Sequence, residues 1–113
     1  MKKNFKISVI TVTKNSEKFL EENLQSLKKQ SYRNFEHIII DGQSTDKTID
    51  IIKKYSSEIY YWVSESDNGL YEAMNKGIER STGDIIGILN SDDIFYPEAL
   101  SIVNKYFSNY QDI

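Results

Sequence analysis

The chain is 113 residues long, one domain or part of one at roughly 150 residues per domain. Fourteen Lys and Arg against 17 Asp and Glu leave a formal charge of −3, which argues against general nucleic-acid binding, since that needs basic surface to displace counterions. The absence of cysteine and the single histidine, His37, exclude disulfide scaffolds, thiolate metal centres, cysteine nucleophiles and His-rich metal sites.

The start, Met1-Lys2-Lys3-Asn4-Phe5-Lys6, is basic, but residues 7–12 are too short and too broken by Ser and Thr to be a signal-sequence core. No apolar run nears the ~20 residues that span a bilayer, so a cytoplasmic location is expected. Residues 7–13 (ISVITVT) are β-branched and predict a strand. Leu20, Leu24 and Leu27 then recur at helical spacing, with Asn15 or Ser16 as cap and Glu17 in the first turn. Residues 35–40 form an apolar run ending at Asp41, the second strand. Ile49, Ile52 and Tyr55 make the next helical stripe, entered through Ser44-Thr45-Asp46. Residues 59–63 (IYYWV) predict a third strand, and Leu70, Ala73, Met74, Gly77 and Ile78 a third helix. Residues 85–89 predict a fourth strand ending at Asn90, and Pro97 stands at a first helical position ahead of Leu100, Val103 and Phe107. Four strand–helix units with near-continuous apolar strands predict an α/β domain, a mainly parallel sheet with helices on both faces. His37, Tyr60, Tyr61 and Trp62 read as packing residues, and Lys28-Lys29 and Lys53-Lys54 as solvated helix faces.

Open α/β sheets bind ligands beyond the carboxyl ends of their strands, where strand order reverses. The segments there are 13–16, 41–46, 64–69 and 90–93, and carboxylates gather in them: Asp41, Glu65, Asp67, Asp92 and Asp93. Such charges repel unless a cation or hydrogen-bond donors compensate. Mg²⁺ or Mn²⁺ is the matching cation, and Mg²⁺ sites commonly use one or two carboxylates, with water and phosphate oxygens as the remaining ligands. On spacing alone Asp92-Asp93 has two readings, a metal–diphosphate site or a solvated pair capping the last helix. Asp41 has two as well, an acceptor for a nucleobase imide or ribose hydroxyl at the crevice floor, or a structural acid. Ser44, Thr45 and Asp46 read as helix-cap residues and Gly42 as a turn residue. The five glycines form neither a phosphate-binding G-x-x-x-x-G-K loop nor G-x-G-x-x-G, so nothing indicates a P-loop NTPase or a dinucleotide oxidoreductase.

Ser8-Val9-Ile10-Thr11-Val12-Thr13-Lys14-Asn15, Gln30-Ser31-Tyr32 and Glu36-His37-Ile38-Ile39-Ile40-Asp41-Gly42-Gln43-Ser44-Thr45-Asp46-Lys47-Thr48, in this order, resemble the opening of a family 2 glycosyltransferase. So do Ser64-Glu65-Ser66-Asp67-Asn68-Gly69-Leu70-Tyr71-Glu72-Ala73-Met74-Asn75-Lys76-Gly77-Ile78 and Leu89-Asn90-Ser91-Asp92-Asp93. The resemblance implies the Rossmann-like nucleotide-binding half of a GT-A fold, with residues 1–113 as a single domain forming the N-terminal part of a longer one. It implies inverting, metal-assisted transfer from a nucleoside-diphosphate sugar, a UDP-sugar favoured, to a saccharide or lipid-linked acceptor, as in polysaccharide biosynthesis. Peripheral membrane association is open to the whole protein. In the roles so implied, Val12, Thr13 and Asn15 line the base pocket and Asp41 contacts the base. Asp67, Gly69 and Asn75 flank the nucleotide, Asp92 serves the ribose, and Asp93 binds Mn²⁺ or Mg²⁺. No catalytic residue is assigned within the chain, since the general base is expected beyond Ile113. Val12 and Lys14 depart from the commonest Pro-Thr-Tyr-Asn pattern, and Gly42 stands where many relatives carry Asp. The alternatives are a non-catalytic nucleotide-binding module and a receiver-like signalling domain, although Thr13-Lys14-Asn15 lacks the acidic pair a receiver needs.

Overall fold

The computed structural model describes residues 4–110; residues 1–3 and 111–113, the first residues of the basic start and the polar end, lie outside them. The described elements run β1 (Ile7–Thr13), α1 (Leu20–Lys28), β2 (Phe35–Asp41), α2 (Thr48–Lys54), a 3-10 turn (Ser56–Glu58), β3 (Tyr61–Ser64), α3 (Leu70–Arg80), β4 (Ile85–Ile88) and α4 (Ala99–Tyr110). The four strands form one parallel sheet in the order β3-β2-β1-β4. Strand β1 pairs with β2 from Ile7 opposite Phe35 to Thr13 opposite Asp41, and β2 with β3 as far as Asp41 opposite Ser64. That register sets Thr13, Asp41 and Ser64 side by side at the carboxyl edge. The chain steps outward from β1 to β3 and then crosses to the far side of β1 for β4, so strand order reverses between β1 and β4. A receiver-type sheet has a different order, 2-1-3-4-5, which removes that alternative.

Alternation along the central strands divides the core between the two sheet faces. On one face α1 and α4 pack Leu27 and Leu100 against Ile7, Val9 and Leu89. Farther along it, α1 and α2 pack Leu20, Leu24 and Ile52 against Ile39, Tyr55 and Ile59. The other face is covered by α3, with Ala73 on Ile10, Ile38 and Ile40. Burying each of these Ile and Leu side chains is worth about 1.5–3 kcal/mol, so β1 and β2, clad on both faces, anchor the fold. His37 lies within this core, with its Nε2 2.8 Å from Thr11 Oγ1.

Several local expectations are revised. Strand β4 is not sealed on both faces: Ile86 and Ile88 are 43% and 40% exposed, because α3 lies over β1 and β2 and leaves the edge strand bare. Tyr60 is exposed, and β3 begins one residue after it. Neither Asn15 nor Ser16 caps α1 through its side chain. Instead the Ser16 carbonyl accepts from the Phe19 and Leu20 amides in a turn that leads into the helix. The α3 stripe is narrower than its apolar spacing suggested, with Ala73 and Gly77 buried but Leu70 and Ile78 exposed. Helix α4 starts two residues after Pro97, whose carbonyl accepts from the Ser31 amide, and its Phe107 is exposed. No helix among the described residues is long and apolar enough to cross a membrane.

Helix α3 approaches β1 closely at Gly77, where an added Cβ would sit 2.6 Å from Ile10 Cγ2. Gly77→Ala is therefore expected to destabilise the fold by about 1–3 kcal/mol of overpacking, more than the ~1 kcal/mol gain in helix propensity. A lowered urea midpoint checks this, and a raised midpoint contradicts it.

Candidate functional site

The carboxyl edge of the sheet opens into a cleft of about 530 Å³ whose walls include Val12, Thr13, Lys14, Asp67, Leu70 and Ser91. Its position at the strand-order reversal is where an open sheet binds ligands. Among the described residues that line it, Lys14 is the only cationic one.

Asp41 is completely buried, and its carboxylate accepts four hydrogen bonds. Thr13 Oγ1 and Ser44 Oγ donate to Oδ1, each at 2.6 Å, while the Ser44 amide and Ser64 Oγ donate to Oδ2, each at 2.8 Å. Burial alone would raise the Asp41 pKa, but the donors from Ser44, Thr13 and Ser64 outweigh it and hold the group below its ordinary value. The acid thus ties β1, the loop after β2, and β3 together.

The loops beyond are cross-braced. Asn15 adopts a left-handed backbone (φ 49°), its amide donates to Ser44 Oγ at 2.7 Å, and its Oδ1 accepts from the Thr45 amide at 2.8 Å. Lys14 Nζ donates to the Gly42 carbonyl at 2.5 Å, so the two departures from the usual motif touch each other. Ser16 Oγ donates to Ser91 Oγ at 3.0 Å across the reversal between β1 and β4. Asp46 accepts from the Thr48 amide at 2.9 Å, which bears out its cap role, whereas Ser44 serves Asp41. Close beside Gly42, Asp67 Oδ1 accepts from the Gly69 amide at 3.0 Å. Gly69 has φ +116° and ψ −174°, a conformation open to glycine alone, and α3 starts at the next residue.

Residues 8–113 match the family model described as Glycosyl transferase family 2. The chain belongs to this family. It is 40% identical over 90 residues to an uncharacterized glycosyltransferase of Mycobacterium tuberculosis, a match covering 79% of this chain and 34% of that protein. The crystal structure of residues 1–349 of Staphylococcus aureus TarS in complex with UDP-GlcNAc superposes with a TM-score of 0.87 at 30% identity, covering 94% of this chain and 32% of that one. A Pyrobaculum calidifontis mannosyltransferase, solved with GDP-Man and Mn²⁺, shares the fold with a TM-score of 0.81 at 24% identity over 94% of this chain and 32% of that one. The chain thus spans about a third of the length of these relatives. The fold is the expected one, a parallel sheet with helices on both faces, as in GT-A glycosyltransferases.

Against that family reading, the cleft brings together Val12, Thr13, Asp67 and Gly69 of the residues singled out in the sequence. Asn15 stands behind the wall as a brace between two loops. Asp41 ends β2 as expected, yet its carboxylate faces protein donors rather than the cleft. Asn75 is exposed on α3, away from the lining residues. Asp92 and Asp93 are exposed on the turn that includes Ser91, which lines the cleft while they do not. Asn90 Nδ2 donates to Asp93 Oδ2 at 3.3 Å. Among the described residues no group of three or more His, Asp or Glu side chains could enclose a metal ion. Two exposed carboxylates fit a cation that takes its other ligands from a diphosphate and water. Lys14, Ser44, Ser64 and Ser91 were not singled out as site residues, and single polar residues at strand ends carry no motif of their own.

Burial lowers the His37 pKa from 6.5 to about 3, so the native state excludes a proton that the unfolded chain takes up below pH 6.5. Stability should therefore fall by about 2 kcal/mol between pH 7 and 5. Glu36 and Asp41 are held below their ordinary values of 4.5 and 3.8, so they add their losses mainly under pH 5. Urea unfolding at pH 7, 6 and 5 should show this fall in the native chain and a flatter profile in His37→Gln; equal profiles contradict it.

Proposed function

We propose that this chain forms the donor-binding part of a glycosyltransferase that moves a sugar from a nucleoside diphosphate to an acceptor hydroxyl. The observation that carries the reading is one cleft at the carboxyl edge of the sheet, lined by Ser91, the residue next to the exposed Asp92-Asp93. A UDP-sugar is the favoured donor, supported by the UDP-GlcNAc complex of the 30%-identical TarS.

In this reading Val12, Thr13, Lys14 and Asp67 form the walls around the nucleoside. Asp41 sets the base pocket by holding Thr13 and Ser44; direct contact with the base would require a base donor to join or replace one of its four protein donors. Gly69 and Asn75 belong to the α3 side that flanks the nucleotide. Asp92 takes the ribose side, and Asp93 holds Mn²⁺ or Mg²⁺ against the diphosphate. Such a cation supplies Lewis-acid stabilisation of charge on the departing nucleoside diphosphate. Transfer with inversion needs a base to deprotonate the acceptor, a contribution of about 10²–10⁴-fold, and we assign that role to no residue of this chain. The acceptor in this reading is a saccharide or a lipid-linked acceptor, as in polysaccharide biosynthesis; the Staphylococcus aureus relative TarS, 35% identical over 100 residues, is named as a poly(ribitol-phosphate) β-N-acetylglucosaminyltransferase.

Calorimetric titration of UDP tests the reading. Mn²⁺ should tighten binding by roughly tenfold or more, about 1.4 kcal/mol, and Asp93→Ala should abolish that gain while leaving metal-free binding in place. Binding indifferent to both the metal and Asp93 contradicts it.

A further inference from the structure

One edge of α1 and of the turn that ends it carries polar side chains where an apolar stripe would serve packing. Asn23, Ser26 and Gln30 lie at i, i+3 and i+7, and all are buried. Each bonds to the backbone of the segment that leads from β4 to α4. Asn23 Nδ2 donates to the Asn90 carbonyl at 2.9 Å and to the Asp93 carbonyl at 3.2 Å. Ser26 Oγ accepts from the Phe95 amide at 3.2 Å. Gln30 Nε2 donates to the Tyr96 carbonyl at 2.7 Å, and its Oε1 accepts from the Leu100 amide at 3.1 Å.

Asn23 holds both ends of one turn. The Asp93 amide donates to the Asn90 carbonyl at 3.0 Å, closing residues 90–93, and the same side-chain amide clasps the first and last carbonyls of that turn. The other atom of the Asn23 amide, Oδ1, is buried with no hydrogen-bond partner. An orphaned buried oxygen destabilises a fold, so stability alone does not account for asparagine here. What asparagine supplies is two donors aimed at two carbonyls, and the turn they fix carries Asp92 and Asp93.

We propose that Asn23, supported by Ser26 and Gln30, is a positioning residue for the turn that carries Asp92-Asp93, holding Asp93 where it can meet a divalent cation on a diphosphate. The inference rests on the reading of Asp93 as a cation ligand. Asn23 itself touches neither nucleotide nor metal; it acts through the backbone of the turn.

The test uses Asn23→Leu, which keeps the branching and heavy-atom count of the side chain, removes both donors and also removes the orphaned oxygen. Two readouts are taken, amide hydrogen exchange and UDP titration over a range of Mn²⁺ concentrations. In the variant, exchange at residues 90–95 should accelerate while β1 and β2 keep their protection. Metal-free UDP affinity should stay within about twofold of the native chain, while the Mn²⁺ concentration for half-maximal tightening rises at least ~10-fold, the scale set by loss of groups that orient metal ligands. A purely structural role would shift the urea midpoint and leave the Mn²⁺ requirement unmoved. Unchanged exchange in the turn, or an unchanged Mn²⁺ requirement where the native chain does respond to metal, overturns the inference and leaves the functional reading standing. A native chain that does not respond to metal overturns that reading and the inference with it. Asn23→Ser, which keeps one hydroxyl donor, serves if the leucine variant does not fold; it should show the same changes in smaller measure, and no change in it overturns the inference.

Discussion

The fold converges on one buried carboxylate. Asp41 lies at the carboxyl end of β2 with four donors from three segments around it and no cation against it. A buried charge is tolerable only when its lone pairs are satisfied, and here neutral hydroxyls and one amide satisfy them. The donors are spread over β1, β3 and the loop after β2. The interaction therefore fixes the relative positions of the strand ends rather than the strands themselves. Apolar packing already secures the strands, through Ile38, Ile39 and Ile40 on β2 and their partners on both faces.

From that clamp the site is built outward in layers. Thr13 and Ser44 are held by Asp41, Asn15 and Lys14 are braced against the loop that carries Ser44, and Ser16 reaches Ser91 across the reversal. Each brace uses the backbone or a short polar side chain, which suits a surface that must stay fixed around a charged ligand. The left-handed backbones of Asn15 and Gln43 lie next to the cleft, where local strain is held by the surrounding bonds. The acidic turn is secured from a different direction, by the polar edge of α1. The acidic turn is thus held from two sides, by Ser16 at Ser91 and by the polar edge of α1.

The sequence carried the architecture well because the strands are distinct in kind from the helices. ISVITVT and FEHIIID are β-branched runs, and both were legible almost to the residue. Exposure was less legible. Ile86 and Ile88 look like core in a list of letters, yet they lie on an edge strand that α3 does not reach. In the site, resemblance identified Asp41, Asp67, Asp92 and Asp93 as one set, and the fold places all four at the carboxyl edge of the sheet. It could not foretell that Asp41 would be saturated by Thr13, Ser44 and Ser64, since no local pattern announces that the hydroxyls of Thr13 and Ser64, on neighbouring strands, converge on it. The polar edge of α1 was hidden for a similar reason. Asn23 sits between leucines in a helical stripe, and only the path of the 90–100 segment shows what it bonds to.

The central claim is that Asp41 organises the cleft in the absence of any ligand. Hydrogen exchange of nucleotide-free Asp41→Asn measures this most directly, because an asparagine amide retains one acceptor oxygen and turns a donor toward hydroxyls that must donate. Faster exchange at residues 14–16, 42–46 and 64–67, with the amides of α1 and the amino-terminal halves of β1 and β2 still protected, is the predicted result. Native-like protection throughout those three loops would contradict the account.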